Sequence, residues 1–221
     1  MAGAAAGPAG GGGTAGRGGW FCRWPHVPCA WNSTSAATVT GLDLGGISIS
    51  GGFPVVLYSL RSLQDLNLSS NEFMGPLLAC LLTLARLDLS SNSFSGEVSV
   101  AYGGGFPSLV VLDLAQNFIS GTFLGFLTNM TALQELLLVY NSFSPSPLPD
   151  NLDDLSALFL ASCSLNSNIP ASIGKLKNLV NLDLSTNKLV DEISTSIGNL
   201  SSLVQLELYT NQLSSRIGEE R

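Results

Sequence analysis

Basic residues are scarce in this chain: Lys and Arg number 9 in 221 residues against 16 Asp and Glu, for a net charge of −7. A phosphate backbone is gripped by clustered Lys and Arg, so the balance argues against a nucleic-acid partner. No basic run makes a patch for an anionic membrane surface either. Long apolar runs are missing as well. Hydrophobic residues make up 45% of the chain, yet no stretch approaches the ~20 consecutive apolar residues of a membrane-crossing helix. His26 is the one histidine. A Ser-His-Asp or Cys-His arrangement would have to use it, and no nucleophile motif stands nearby. No HExxH, paired CxxC or Walker loop occurs. The match of Ser172 to Lys175 with SxxK falls on the outer turn of a repeat and is incidental. The chain reads as non-enzymatic, with no cofactor and no metal set.

The start of the chain lacks the apolar core of a secretory leader. Residues 1–19 are mostly Gly and Ala and read as a disordered segment. Gly10 to Gly13 follow no strand, open no helix and lack a trailing Lys-Ser/Thr, so they form no phosphate loop. A secreted product would need a leader that is missing or atypical here.

Cysteine is sparse. Cys22 and Cys29 lie close together among Trp20, Trp24 and Trp31, while Cys80 and Cys163 stand alone. The close pair reads as a disulfide cap formed in an oxidising compartment, with two reduced thiols as the alternative. Residues 20–38 are taken as a partial N-terminal cap.

What the chain does have is a repeat. Aligned on LDLSSNSFSGEV (87–98), coils begin at Val39, Leu63, Leu84, Leu109, Leu133, Leu155, Leu179 and Leu203. Seven complete repeats and a truncated eighth cover residues 39–221. Position four holds leucine in all eight, from Leu42 to Leu206, and so does position six, from Leu44 to Leu208. Two residues apart, both point to one face of a short strand. Position eleven is apolar throughout, from Ile49 to Leu213. One coil cannot bury these side chains, but stacked coils share a continuous core.

Other columns carry polar and turn signals. Asn occupies position nine at Asn71, Asn92, Asn117, Asn141, Asn187 and Asn211. Its amide can serve the backbone of its own coil and a neighbour. Cys163 takes this place in the sixth repeat, which makes it a buried ladder residue and not a reactive thiol. Gly51, Gly75, Gly96 and Gly121 at position thirteen suit a positive φ. Pro54 and Pro170 hold position sixteen, with Pro149 displaced by one residue. The convex side is therefore degenerate while the strand side is intact. The second and fifth repeats are short, so flattened convex turns are expected before Leu84 and Leu155. The fold class is an α/β solenoid: a leucine-rich-repeat superhelix with a parallel β-sheet on its concave face and an irregular or 3-10 convex side.

The motif LxxLxLxxNxLxGxIPxxLxxL stands here as LVNLDLSTNKLVDEISTSIGNL (179–200) and LFLASCSLNSNIPASIGKL (158–176). It resembles the repeat of plant receptor-like kinases. CRWPHVPC (22–29) resembles their N-terminal cysteine cap, and YNSFSPSPLPDNL (140–152) is similar to the HAESA-like subfamily in particular. The resemblance implies a right-handed extracellular superhelix that binds a secreted peptide or protein ligand and recruits a co-receptor repeat kinase. It further implies a plasma-membrane receptor whose transmembrane helix and Ser/Thr kinase lie outside this chain. A secreted inhibitor or decoy, or a non-functional truncated remnant, is the alternative. With the terminal repeat cut, the core is expected to leak at Ile217.

Strand positions facing the concave sheet are mostly small or polar, such as Asp43, Asp65, Asn67, Ser90 and Asp183. The fourth to sixth repeats instead present Val111, Leu137, Val139, Tyr140 and Phe159. A cluster of exposed apolar side chains marks a binding site. An extended peptide is expected across it, with Tyr140 and Phe159 as anchors and Asp88, Asp113 or Glu135 on its polar groups. N-glycosylation sequons stand at Asn32, Asn67, Asn129 and Asn199. Asn129 and Asn199 fall on the outer side, where a glycan is harmless. A glycan on Asn67 would sit on the concave sheet and obstruct a ligand.

Overall fold

The computed structural model describes residues 20–23, 25–31, 37–77, 83–98, 106–122, 127, 130–145 and 154–214. The expectations for residues 1–19, Trp24, Asn32, Cys80, Asn129, Pro149 and Ile217 lie outside them. So do the convex turns just before Leu84 and Leu155.

Positions three to five of each coil form a strand: β3 (Gly41–Asp43), β5 (Asp65–Asn67), β7 (Arg86–Asp88), β9 (Val111–Asp113), β11 (Glu135–Leu137), β12 (Ala157–Phe159), β13 (Asn181–Asp183) and β14 (Gln205–Glu207). They line up in chain order as one parallel sheet of eight strands. The register never slips, so Leu66, Leu87, Leu112, Leu136, Leu158 and Leu182 stand side by side. A slip of one residue would turn every leucine to water, which is why this register is strongly specified. Leu63, Leu84, Leu109, Leu155 and Leu179 at position one are fully buried, at 0% exposure. Each such burial is worth roughly 1.5–3 kcal/mol. At the two ends Val39, Leu42, Leu203 and Leu208 are only partly buried.

Past the strand the chain turns through a left-handed residue at position eight in every coil. Gly46, Ser70, Ser91, Gln116, Tyr140, Ser162, Thr186 and Thr210 have φ between 54° and 68°. The ladder follows. Each of the six Asn side chains donates from Nδ2 to the position-six carbonyl of the preceding coil, at 2.7–3.0 Å. Each Oδ1 accepts from the position-eleven N–H of that same coil, at 2.9–3.1 Å. Cys163 is fully buried, and its Sγ meets Leu138 O at 3.3 Å, the carbonyl an Asn amide would have reached. Burial pushes its thiol up to about 12, with the Asp183 carboxylate adding to the push, so it stays protonated and inert. In the two coils without a ladder Asn, position ten is left-handed as well (Ser48, φ 57°; Ser164, φ 59°).

The convex side is more ordered than its degenerate sequence suggests. The first four coils add a second parallel sheet, from β4 (Ser50–Gly51), β6 (Glu72–Gly75), β8 (Ser93–Glu97) and β10 (Phe118–Ser120). Glycines with positive φ close its turns, among them Gly75 (φ 85°) and Gly121 (φ 82°). 3-10 segments run over Val55–Ser59, Ala171–Lys175 and Thr195–Asn199. Pro54 and Pro170 precede the first two. Ser194 takes the proline's place before the third, and its hydroxyl accepts from Ser196 N at 3.3 Å.

At the N-terminal end Cys22 and Cys29 form a disulfide, with Cα atoms 5.7 Å apart. β1 (Cys29–Trp31) pairs antiparallel with β2 (Ala37–Val39). The carbonyl of His26 accepts from Asp43 N at 2.9 Å, and that of Pro28 from Thr40 N at 3.0 Å. The cap thus satisfies the edge of β3, where open donors would otherwise invite another strand. A Cβ at Gly41 would lie 2.9 Å from the Pro28 ring, so glycine is what lets the cap approach.

Candidate ligand-binding face

The concave sheet places one column of side chains at position three and another at position five. Neighbouring members are one strand apart, about 4.8 Å. Reading position five along the molecule gives Asp43, Asn67, Asp88, Asp113, Leu137, Phe159, Asp183 and Glu207. The Asp and Asn members have a structural duty. Each accepts the N–H two residues on: Gly45 N at 3.1 Å for Asp43, and Ser69, Ser90, Ala115 and Ser185 N at 2.9 Å for Asn67, Asp88, Asp113 and Asp183. These Asx turns end the strand where the chain must bend.

Leu137 and Phe159 make no such turn. They are adjacent in register and both half-buried, and they interrupt the acidic column with an apolar window. Val139 is also half-buried, two residues on from Leu137. Tyr140 occupies the left-handed bend and is 61% exposed. The window therefore has its two position-five members on the sheet and Tyr140 at its rim.

Toward the cap, the same face hollows into a groove of about 400 Å³. Val111, Leu137, Asp88, Asp113 and Glu135 line it together, whereas Val139, Tyr140 and Phe159 lie beyond its end. Sequence reasoning missed how far the groove runs back, to Asp65, Arg86 and the cap residue Pro28. Arg86 is the one basic side chain in the position-three column and could have been noticed as such. Pro28 could not, because its place depends on how the cap folds. Arg86 Nε lies 3.9 Å from Asp65 Oδ1, and both side chains are well exposed. The Asp113 carboxyl is pushed up from its ordinary 3.8 to about 6, mainly by burial, with the Ala115 N–H pulling the other way and Asp88 adding a smaller push.

His26 Nδ1 lies 4.0 Å from Asp43 Oδ2, at the cap end of the face. Ser172 and Lys175 sit on the outer 3-10 segment, away from it. Among the described residues no cluster of three potential metal ligands forms, and no helix is long and apolar enough to cross a membrane.

The sheet, ladder and cap together define a leucine-rich-repeat solenoid with an open concave face. The comparisons agree. A Leucine Rich Repeat family model matches residues 178–200. The chain is similar to Receptor like protein 21 of Arabidopsis thaliana, at 34% identity over 176 residues, covering 76% of this chain and 16% of that protein. Its fold superposes on the Arabidopsis receptor kinase HAESA, solved with the peptide hormone IDA and the co-receptor SERK1: TM-score 0.74, 35% identity, 87% of this chain and 37% of that one. The ectodomain of the Arabidopsis receptor kinase GASSHO1/SCHENGEN3, solved with CASPARIAN STRIP INTEGRITY FACTOR 2, gives a TM-score of 0.77 at 28% identity, over 88% of this chain and 26% of that one. The chain is thus similar to plant receptor-like proteins and repeat receptor-kinase ectodomains, and it spans less than two fifths of the length of each of these relatives.

Proposed function

We propose that this chain is the ligand-recognition region of a plant cell-surface receptor, of the HAESA-like kind, and that an extended peptide lies across its concave face. The apolar window carries the reading. At Leu137 and Phe159 the chain forgoes two strand-ending turns that other coils make, each a hydrogen bond worth about 0.5–1.5 kcal/mol net. It also places a bulky tyrosine, 61% exposed, in a bend that the other coils fill with Gly, Ser, Gln or Thr. Local departures from the favourable choice, gathered in one spot, are the mark of a functional surface. Val111 and Val139 extend the apolar contact, Tyr140 closes its rim, and Asp88, Asp113 and Glu135 meet the polar groups of the ligand. Signalling passes through a co-receptor and a kinase outside these residues, as the HAESA assembly suggests. A glycan on Asn199, exposed on the outer 3-10 segment, leaves the concave face free. One on Asn67 would block it, and that Asn already has its Oδ1 engaged by the hydroxyl of Ser69 at 2.7 Å.

The test is direct. Peptides are selected from a random display library on the secreted chain, then measured against Phe159→Asp. The substitution is expected to abolish binding, because a carboxylate would replace the apolar anchor. Unchanged affinity would sink the assignment.

A further inference from the structure

The same face carries a second pattern, in charge. Asp43, Asp65, Asp88, Asp113 and Glu135 line the groove, against Arg86 as its one cation. Arg86 is engaged by Asp65. Asp88, Asp113 and Glu135 have no ion-pair partner among the described residues. Asp88 and Asp113 stand side by side in register, like charges about one strand spacing apart. Each keeps one oxygen on its turn N–H and the other with no protein partner among the described residues. A concave surface lined by one sign of charge focuses its field into the groove and concentrates ions of the opposite sign there. Among the described residues, Lys175 lies on the outer 3-10 segment, away from the groove, and Lys177 Nζ donates to Asn199 O at 2.7 Å.

Charge and apolarity follow one another in a fixed order along the sheet. The carboxylate pair sits in the third and fourth coils and the apolar pair in the fifth and sixth. From Asp113 to Phe159 is two strand spacings. That is about 10 Å, the length of about three residues of extended peptide.

We propose that the occupant of this unpartnered sheet face is an extended peptide with a basic side chain about three residues from an apolar one. The basic side chain lies over Asp88 and Asp113, on the side of the disulfide cap, and the apolar one lies over Leu137 and Phe159. The proposal rests on the peptide-binding reading above and adds the charge of the ligand and its direction. Complementary potentials of this kind set partner choice and association rate as much as affinity.

Asn67 shows how to test it without disturbing the turn. Its carboxamide Oδ1 accepts Ser69 N at 2.9 Å, as Asp88 does from Ser90 N. Asp88→Asn with Asp113→Asn therefore removes the charge and keeps the strand ending. The probes are two fluorescein-labelled nine-residue peptides in Gly-Ser spacers. One carries Arg three residues from Leu, and the other Gln in place of Arg. Binding is read by anisotropy on the full chain. The wild type is expected to bind the Arg probe about tenfold more tightly than the Gln probe. The double variant should lose that preference, as should the wild type in high salt. Phe159→Asp should weaken both probes. Equal affinity for the two probes, still weakened by Phe159→Asp, would overturn the charge assignment and leave the peptide reading standing. An Arg preference that survives in the double variant would place the basic segment elsewhere and overturn it too. No binding of either probe would overturn both.

Discussion

At the scale of single residues, the informative positions are those where one column changes its chemistry. The position-five carboxylates are turn-makers first, which explains why LDLS recurs without any ligand in view. Asp113 is the member whose charge matters to stability. Its folded carboxyl titrates near 6, above the ordinary 3.8, so the folded chain holds that proton more tightly than the unfolded one. Its contribution is full below the unfolded value and is lost as pH rises through about 6. Asp113→Asn, which keeps an acceptor for Ala115 N, is expected to match the wild type near pH 4 and to melt at a higher temperature at pH 7. Thermal unfolding at the two pH values checks this; equal melting temperatures at pH 7 would mean that Asp113 ionises without strain. The apolar window at Leu137 and Phe159 was legible in the sequence because it breaks a column. The rearward end of the groove was not, because Pro28 joins Asp65 and Arg86 in its lining only once the cap has folded against β3.

At the scale of elements, the strands were legible residue by residue, since period two and a constant leucine column admit one register. The left-handed bend at position eight was not. It holds Gly, Ser, Gln, Tyr and Thr, and no residue type announces a backbone state shared by all of them. The second sheet was hidden for a similar reason: its strands mix Ser, Gly, Glu and Phe with no shared β-forming pattern, and its order comes from the stacking imposed by the first sheet. The convex 3-10 segments pack closely where Ala171–Lys175 meets Thr195–Asn199. A Cβ on Gly174 would lie 2.5 Å from the backbone oxygen of Ser196. Gly174→Ala should therefore destabilise the chain by about 1–3 kcal/mol, the usual cost of overpacking. Denaturant unfolding measures this, and a neutral result would show that the two segments can part freely.

At the scale of the whole molecule, the solenoid turns a local repeat into an extended face. Each coil contributes one member to each column, so the face presents a sequence of chemistries: cap, carboxylates, apolar window, then carboxylate again at Asp183. Stability in such an array is a sum of neighbour interfaces, and the first coil gains from the cap what the inner coils gain from each other. The most direct measurement on the concave face is photo-crosslinking. A peptide selected on the wild type is remade with a benzophenone in place of its apolar residue, irradiated on the full chain, and the adduct located by mass spectrometry. Adducts on residues of β11 and β12, around Leu137 and Phe159, are the predicted result. Adducts on the outer sheet, at Met74 or Phe118, or on the 3-10 segment Ala171–Lys175, would contradict it.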